Sequence, residues 1–172
     1  MDGTLALIFL LTSLSDMGLN DCKTGGCLQQ HDATARVSVQ GARVVFQEEE
    51  QSDEIYFGYD MPNRLGPFQP TIGGSLTGEN ALWVGGGLKW SSQNFSDFPI
   101  FIETSLMPGL YARGGGENLG GSLHFRSAFG LGYRFDNGAT LSVLYDHRSN
   151  GDTQALNPGL ETIAIRYAFV ID

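Results

Sequence analysis

From about Ala33 onward, apolar and polar residues alternate in short runs, and clusters rich in Gly, Asn, Asp, Ser and Pro separate the runs. A period of two marks a β-strand, whose successive side chains point to opposite faces. Eight such runs are read, at about 34–46, 53–61, 67–76, 80–91, 98–112, 122–135, 139–149 and 159–171. In 122–135, Leu123, Phe125, Phe129, Leu131, Tyr133 and Phe135 share one face; Ser122, His124, Arg126, Gly130, Gly132 and Arg134 share the other. In 98–110, Phe98, Ile100, Ile102, Leu106 and Leu110 stand opposite a face that includes Glu103 and Ser105. In 53–61, Ile55, Phe57, Tyr59 and Met61 oppose Glu54, Tyr56, Gly58 and Asp60.

Which face is outermost decides the class of protein. The polar faces mix glycine with isolated arginines, glutamates and aspartates, a set that suits a narrow, packed lumen where charges pair. The apolar faces carry aromatic residues near strand ends (Trp90, Tyr133, Phe135, Tyr167, Phe169), in the manner of the girdles at a membrane–water interface. Runs of about 9–14 residues are long enough to cross a bilayer when tilted. Backbone groups in lipid must pair internally, so the sheet must close. Eight strands enclose an interior just filled by side chains. The turns agree: "DNG" at 136–138 is a hairpin signal, and shorter connections such as "PNRLG" alternate with longer ones such as "RGGGENLGG". The expected fold is all-β, an eight-stranded antiparallel transmembrane β-barrel over residues 33–172. A soluble, calycin-like barrel is the competing architecture; it would turn the apolar faces inward.

Composition narrows the partners. The 172 residues carry a formal charge of −9, which argues against recognition of nucleic acid through its phosphates. No apolar run reaches the ~18–20 residues of a spanning helix. "LALIFLLTSL", Leu5–Leu14, has the length of a signal-peptide apolar region, although Asp2 replaces the usual positive start and no A-x-A site follows. Residues 1–32 are read as a signal or unstructured segment outside the barrel. Cys22 and Cys27 form one lone pair without a histidine cluster, a weak zinc signal; a local disulfide is open to them, and neither is given a function. "EEEQSD", Glu48–Asp53, is read as a solvated acidic connection. "GGGENLGG" is a loop, since no phosphate-binding helix follows it, and the glycines of "WVGGGLKW" make room for a side chain from elsewhere. Arg126, Arg134, Arg166, Glu103, Asp60 and Asp146 are expected to pair in the lumen. His124 is expected to face the lumen and His31 to lie outside the barrel. Arg148 is placed at the rim, meeting either a lipid phosphate or solvent.

The candidate chemistry sits in the last two runs. Along 139–149, Leu141, Val143, Tyr145, His147 and Ser149 share the apolar row. Along 159–171, Glu161 heads the row of Ile163, Ile165, Tyr167, Phe169 and Ile171. The two runs are antiparallel neighbours joined by 150–158, so His147, Ser149 and Glu161 meet at one rim on one outer face. Positions i and i+2 on a strand lie about 7 Å apart, and Glu161 approaches His147 across the pair. A serine beside a histidine that is held by a carboxylate is a nucleophile–base–orienter set. The joining loop supplies oxyanion donors in Asn157, Asn150 and the Gly151 N–H. The bland reading is a group of rim polar residues facing headgroups.

His147-x-Ser149-Asn150, six residues, Asn157, three residues, Glu161, together with "FGLGYRFDNGATLSVLYDHRSNG" and "NPGLETIAIRY", resembles the C-terminal signature of the lipid A 3-O-deacylases (the PagL family). The likeness runs over about 100–167 and thins before Tyr56. It implies an eight-stranded barrel of the bacterial outer membrane that removes the 3-hydroxyacyl chain esterified at position 3 of lipid A. Lipopolysaccharide is then the substrate and outer-membrane lipids the surroundings. By motif position the resemblance makes Ser149 the nucleophile, His147 the base, Glu161 its orienter and Asn157 an oxyanion donor, with Asn150 and Gly151 shaping the same hole. No metal or organic cofactor is implied, and homodimerisation is left open. The ending "AFVID" lacks the terminal aromatic residue of such barrels. A structural or lipid-binding barrel without turnover is the alternative function.

Overall fold

The computed structural model describes residues 3–23, 25–47 and 49–171; Met1, Asp2, Thr24, Glu48 and Asp172 fall outside the described residues. Helix α1 spans Thr4–Asp16. The strands are β1 (Gln30–Asp32), β2 (Arg36–Phe46), β3 (Glu49–Asp60), β4 (Asn63–Leu65), β5 (Gln69–Thr77), β6 (Leu82–Ser91), β7 (Ile100–Ala112), β8 (Leu123–Arg134), β9 (Thr140–Ser149) and β10 (Leu160–Val170). Eight of them close into an antiparallel barrel in the order β10-β2-β3-β5-β6-β7-β8-β9, while β1 and β4 form a small separate pair.

The alternation read from sequence is the alternation of wall and lumen. Phe57, Val84, Leu131, Val143, Ile163 and Ile165 are exposed on the outer face, which in a bilayer meets acyl chains rather than water. The lumen is filled by Val44, Tyr56, Trp83, Met107 and Tyr111 toward one end and by Ala42, Leu144 and Ala164 in the middle. Glycines on β6 and β7 make the room for Trp83: a Cβ at Gly85 or Gly109 would lie 2.5 or 2.6 Å from its ring.

Buried charges share that interior, and each is paired, as a low-dielectric site demands. Arg126 meets Asp146 at 2.6 Å and Glu54 at 3.5 Å, and Lys89 meets Asp60 at 2.8 Å and Glu103 at 2.7 Å. The expected lumen pairs are therefore present with two corrections. Arg134 instead donates to the carbonyl of Asp97. Arg148 is not at the solvated rim: its side chain is 1% exposed and donates to Glu54 at 2.8 Å, because its row alternates with the outward row of His147 and Ser149. His124 is buried in the lumen, its Nε2 3.1 Å from the Gly121 carbonyl. His31 lies outside the barrel on β1, 3.4 Å from Asp21.

From Glu49 onward the acidic stretch is strand rather than connection, the expected Glu48 lying outside the described residues: β3 begins at Glu49, and Arg43 on β2 pairs with Asp53 at 3.2 Å and Glu50 at 3.9 Å. These carboxylates stand on an exposed rim, where solvation and an opposite charge make extended backbone tolerable.

A larger departure concerns the segment before Ala33. Residues 4–21 are helical, α1 running into a π-helical turn at Met17–Asp21, and α1 packs on the outer wall against β7 and β8. No helix among the described residues is long and apolar enough to cross a membrane. Leu7, Leu10, Leu11 and Leu14 point away from the barrel, while Phe9, Ser13 and Asp16 are buried. The wall offers matching polar groups. The Trp90 indole N–H donates to Asp16 at 2.8 Å, and the hydroxyls of Thr12 and Thr104 lie 3.2 Å apart. Trp90 is thus covered by the helix, not part of an exposed girdle. Cys22 and Cys27 are joined in a disulfide just beyond.

Candidate active site on the outer wall

The longest connections, residues 113–122 and 150–159, lie together at the barrel end where β9 finishes and β10 begins. Register fixes the first two site residues. β9 and β10 pair with His147 directly opposite Glu161, and the imidazole Nδ1 lies 3.0 Å from Glu161 Oε1. Glu161 is partly exposed at the rim, whereas the histidine side chain is 7% exposed. The Nε2 nitrogen is buried and makes no hydrogen bond.

Ser149 lies two residues further along the same row, opposite Phe125 of β8. That row is the outward one: Leu141, Val143 and Tyr145 precede it, each exposed. Ser149 and His147 are nevertheless only 5% and 6% exposed, because the loops close over the wall here. The loop returning from Gly151 passes the imidazole so closely that a Cβ at Gly159 would sit 2.7 Å from His147 Cε1, and Gly159 has a φ of +76°. Only glycine meets both conditions. Sequence reading did not single Gly159 out, although its Pro-Gly context marked a turn.

The three expected oxyanion residues divide by what their hydrogen bonds leave free. Asn150 is fully buried, and its amide donates to the carbonyls of Leu119, Gly120 and Leu156 at 3.0, 2.8 and 2.6 Å. Its side chain clasps the two long loops and has no donor left for a substrate. Its backbone N–H is also taken, by Asn157 Oδ1 at 3.0 Å. Asn157 Nδ2 donates to Asp152 at 2.8 Å; an amide nitrogen carries a second hydrogen, which points to a remaining donor. Gly151 has a φ of +63° and lies against the Phe125 ring.

Beneath the outward pair runs the lumen network. Asp146 and Arg148 flank His147 in sequence, and both end on the group centred on Glu54, itself 2% exposed. The strand carrying the candidate serine and histidine is therefore anchored from the inside by ion pairs. Glu54 was legible only as an inward residue; nothing in its own stretch of sequence marks it as the hub.

A base whose second nitrogen is held by a carboxylate, a serine on the same row and loop amides nearby can carry out acyl transfer. Among the described residues no cluster of His, Cys, Asp and Glu is arranged to hold a metal ion.

Residues 35–170 match the family model described as "Lipid A 3-O-deacylase (PagL)". The chain is 30% identical to the lipid A deacylase PagL of Pseudomonas aeruginosa over 119 residues, 59% of this chain and 69% of that protein. Among solved structures it is similar to the outer-membrane enzyme PagL, with a TM-score of 0.61 and 23% identity over 78% of this chain and 99% of that one. It is also similar to Neisserial surface protein A, with a TM-score of 0.59 and 8% identity over 83% and 99% of the two chains.

Proposed function

Since the chain belongs to the lipid A 3-O-deacylase family, we propose that Ser149, His147 and Glu161 are the triad by which it hydrolyses its ester. The protein is an outer-membrane lipid A deacylase, a hydrolase acting on an acyl ester of lipid A. The observation that supports the triad most directly is the 3.0 Å contact between His147 Nδ1 and Glu161. With Nδ1–H donated to the carboxylate, the lone pair resides on Nε2, the nitrogen that is left unbonded. This is the tautomer a general base needs, and the carboxylate also stabilises the imidazolium that forms.

Hydrolysis then proceeds in two halves. Ser149 Oγ attacks the ester carbonyl carbon as its proton passes to His147 Nε2. The remaining Asn157 amide hydrogen and the Gly151 N–H meet the carbonyl oxygen as it becomes negative. The tetrahedral species collapses, and the sugar oxygen leaves with the proton from His147. Water attacks the acyl-serine in the same way, His147 taking its proton and returning it to Ser149. The products are a 3-hydroxy fatty acid and a lipid A with a free 3-hydroxyl. His147 Nε2 has no hydrogen-bond partner before substrate binds, so on this reading the Ser149 hydroxyl closes on it in the substrate complex. The outward facing suits the substrate: an ester of lipid A lies beside the barrel wall already, so confinement to the leaflet supplies part of the orientation.

The test is the mass of lipid A after incubation with purified protein. The wild type removes one 3-hydroxyacyl unit. Ser149→Ala lowers the rate by at least ~10³-fold while the barrel remains folded. A lipid A of unchanged mass with wild-type protein would favour a non-catalytic lipid-binding barrel, and an active Ser149→Ala would remove the serine from the mechanism.

A further inference from the structure

The loop that follows the candidate serine opens with a turn of unusual residue order. Gly151 and Asp152 have φ of +63° and +61°, and the Thr153 N–H returns to the Asn150 carbonyl at 3.3 Å. Two successive positive φ angles closed by such a bond are the pattern of a type I′ turn. The Thr153 hydroxyl donates to the same carbonyl at 2.9 Å. Glycine takes this backbone at no steric cost, whereas any side chain brings a Cβ that crowds the next carbonyl. Asn-Gly or Gly-Gly would make the same turn with less strain. The turn by itself therefore gives no reason for a carboxylate at 152.

The carboxylate has a partner across the loop. Asp152 Oδ1 accepts from Asn157 Nδ2 at 2.8 Å. At the other end of that amide, Asn157 Oδ1 accepts from the Asn150 N–H at 3.0 Å. The two bonds fix which end of the amide is nitrogen, since a carboxylate needs a donor and an N–H needs an acceptor. They also fix its plane, and with it the direction of the second Nδ2 hydrogen. Asn150 Nδ2 donates to the Leu156 carbonyl at 2.6 Å, so the backbone just before Asn157 is held as well. Two residues beyond, Gly159 brings the loop against the His147 ring, which carries the amide close to the base. What Asp152 adds is the rotation of the Asn157 side chain.

We propose that Asp152 is a positioning residue for deacylation: it turns the Asn157 amide so that the free N–H meets the ester carbonyl oxygen as that oxygen becomes negative. The proposal rests on the reading of Ser149, His147 and Glu161 as the triad. Asp152 touches no reacting atom and acts through Asn157. Its negative charge is unfavourable beside a developing oxyanion; the useful property is an acceptor at that place. Asp152 is exposed, so water can replace it as an acceptor, but water does not hold the amide to one direction.

The experiment measures kcat and KM for release of the 3-hydroxy fatty acid from lipid A by purified protein in detergent. Asp152→Gly supplies the residue the turn favours and removes the acceptor. It is expected to keep or raise the temperature of heat-modified migration and to lower kcat about tenfold, the size of one hydrogen bond, with KM unchanged. Asp152→Asn keeps an acceptor without the charge and is expected to recover most of that loss. Asn157→Ala removes the oxyanion donor and lowers kcat about 10²-fold; Asp152→Gly added to it costs nothing further, because the two act as one unit. A wild-type kcat in Asp152→Gly, an Asp152→Asn as slow as Asp152→Gly, or a full additional loss in the double variant overturns the proposal. Ser149→Ala separates the two readings. If it is inactive while Asp152→Gly is unimpaired, the triad stands and the positioning role falls; if it is active, the triad falls.

Discussion

At the residue scale, the site depends on a glycine as much as on its polar groups. Gly159 lets the loop pass over His147 at a distance that a methyl group cannot share, in a backbone conformation that costs other residues strain. Gly159→Ala should therefore displace either the loop or the imidazole. A displacement of about 1 Å in a catalytic group costs on the order of 10²-fold in rate, so deacylation should fall by that order while the barrel still shows heat-modifiable gel migration. Unimpaired deacylation would mean that the imidazole does not need its present place. Asn150 is a second case. Its type suggested a donor to substrate, but its amide is spent on three carbonyls, which makes it the fastener between two loops.

At the scale of elements, α1 inverts the pattern of a helix on a water-soluble protein. Its leucines face outward, and Thr12, Ser13 and Asp16 turn toward the wall. Against lipid this arrangement is favourable, because polar groups find partners only on the protein. The Asp16–Trp90 hydrogen bond at 2.8 Å is the test of that seating. Trp90→Phe keeps the ring and removes the donor, leaving Asp16 Oδ2 buried and unpaired, a loss of about 1–3 kcal/mol. Urea unfolding in detergent micelles should show a midpoint shifted down accordingly. An unshifted midpoint would mean that the helix does not hold this position in the purified protein.

At the scale of the whole molecule, the barrel is a closed sheet whose lumen interleaves ion pairs with apolar clusters. Glu54 on β3 reaches across the lumen to Arg148 and Arg126, which stand side by side on β9 and β8, and Arg148 lies between His147 and Ser149 in the chain. Removing one member of such a group strands the others, at a cost of about 3–5 kcal/mol. Glu54→Ala should lower the temperature of heat-modified migration and slow deacylation together, since β9 loses its inner anchor. Replacing the pair with Glu54→Leu and Arg148→Met should restore a good part of the stability, as apolar groups of similar size need no partner. A double variant as unstable as the single one would show that the charges themselves are required.

Residue alternation determined much of this protein. Period two in eight runs fixed the strands to within a few residues, the closed barrel, and which side chains look outward. Since neighbouring strands must be antiparallel, it also put His147, Ser149 and Glu161 on one rim. Alternation states facing but not contact, so it could not tell that Arg148 reaches across the lumen to Glu54, that Asn150 spends its amide on a distant loop, or that Gly159 grazes the imidazole. Those depend on which parts of the chain close over one another. The N-terminal segment was the least legible for the same reason: the hydrogen bonds of Thr12 and Asp16 are made to Thr104 and Trp90, far away in sequence. What the tertiary structure alone decided is therefore partnership, because hydrogen bonds and ion pairs form between groups far apart in sequence, and no local pattern records the distance between them.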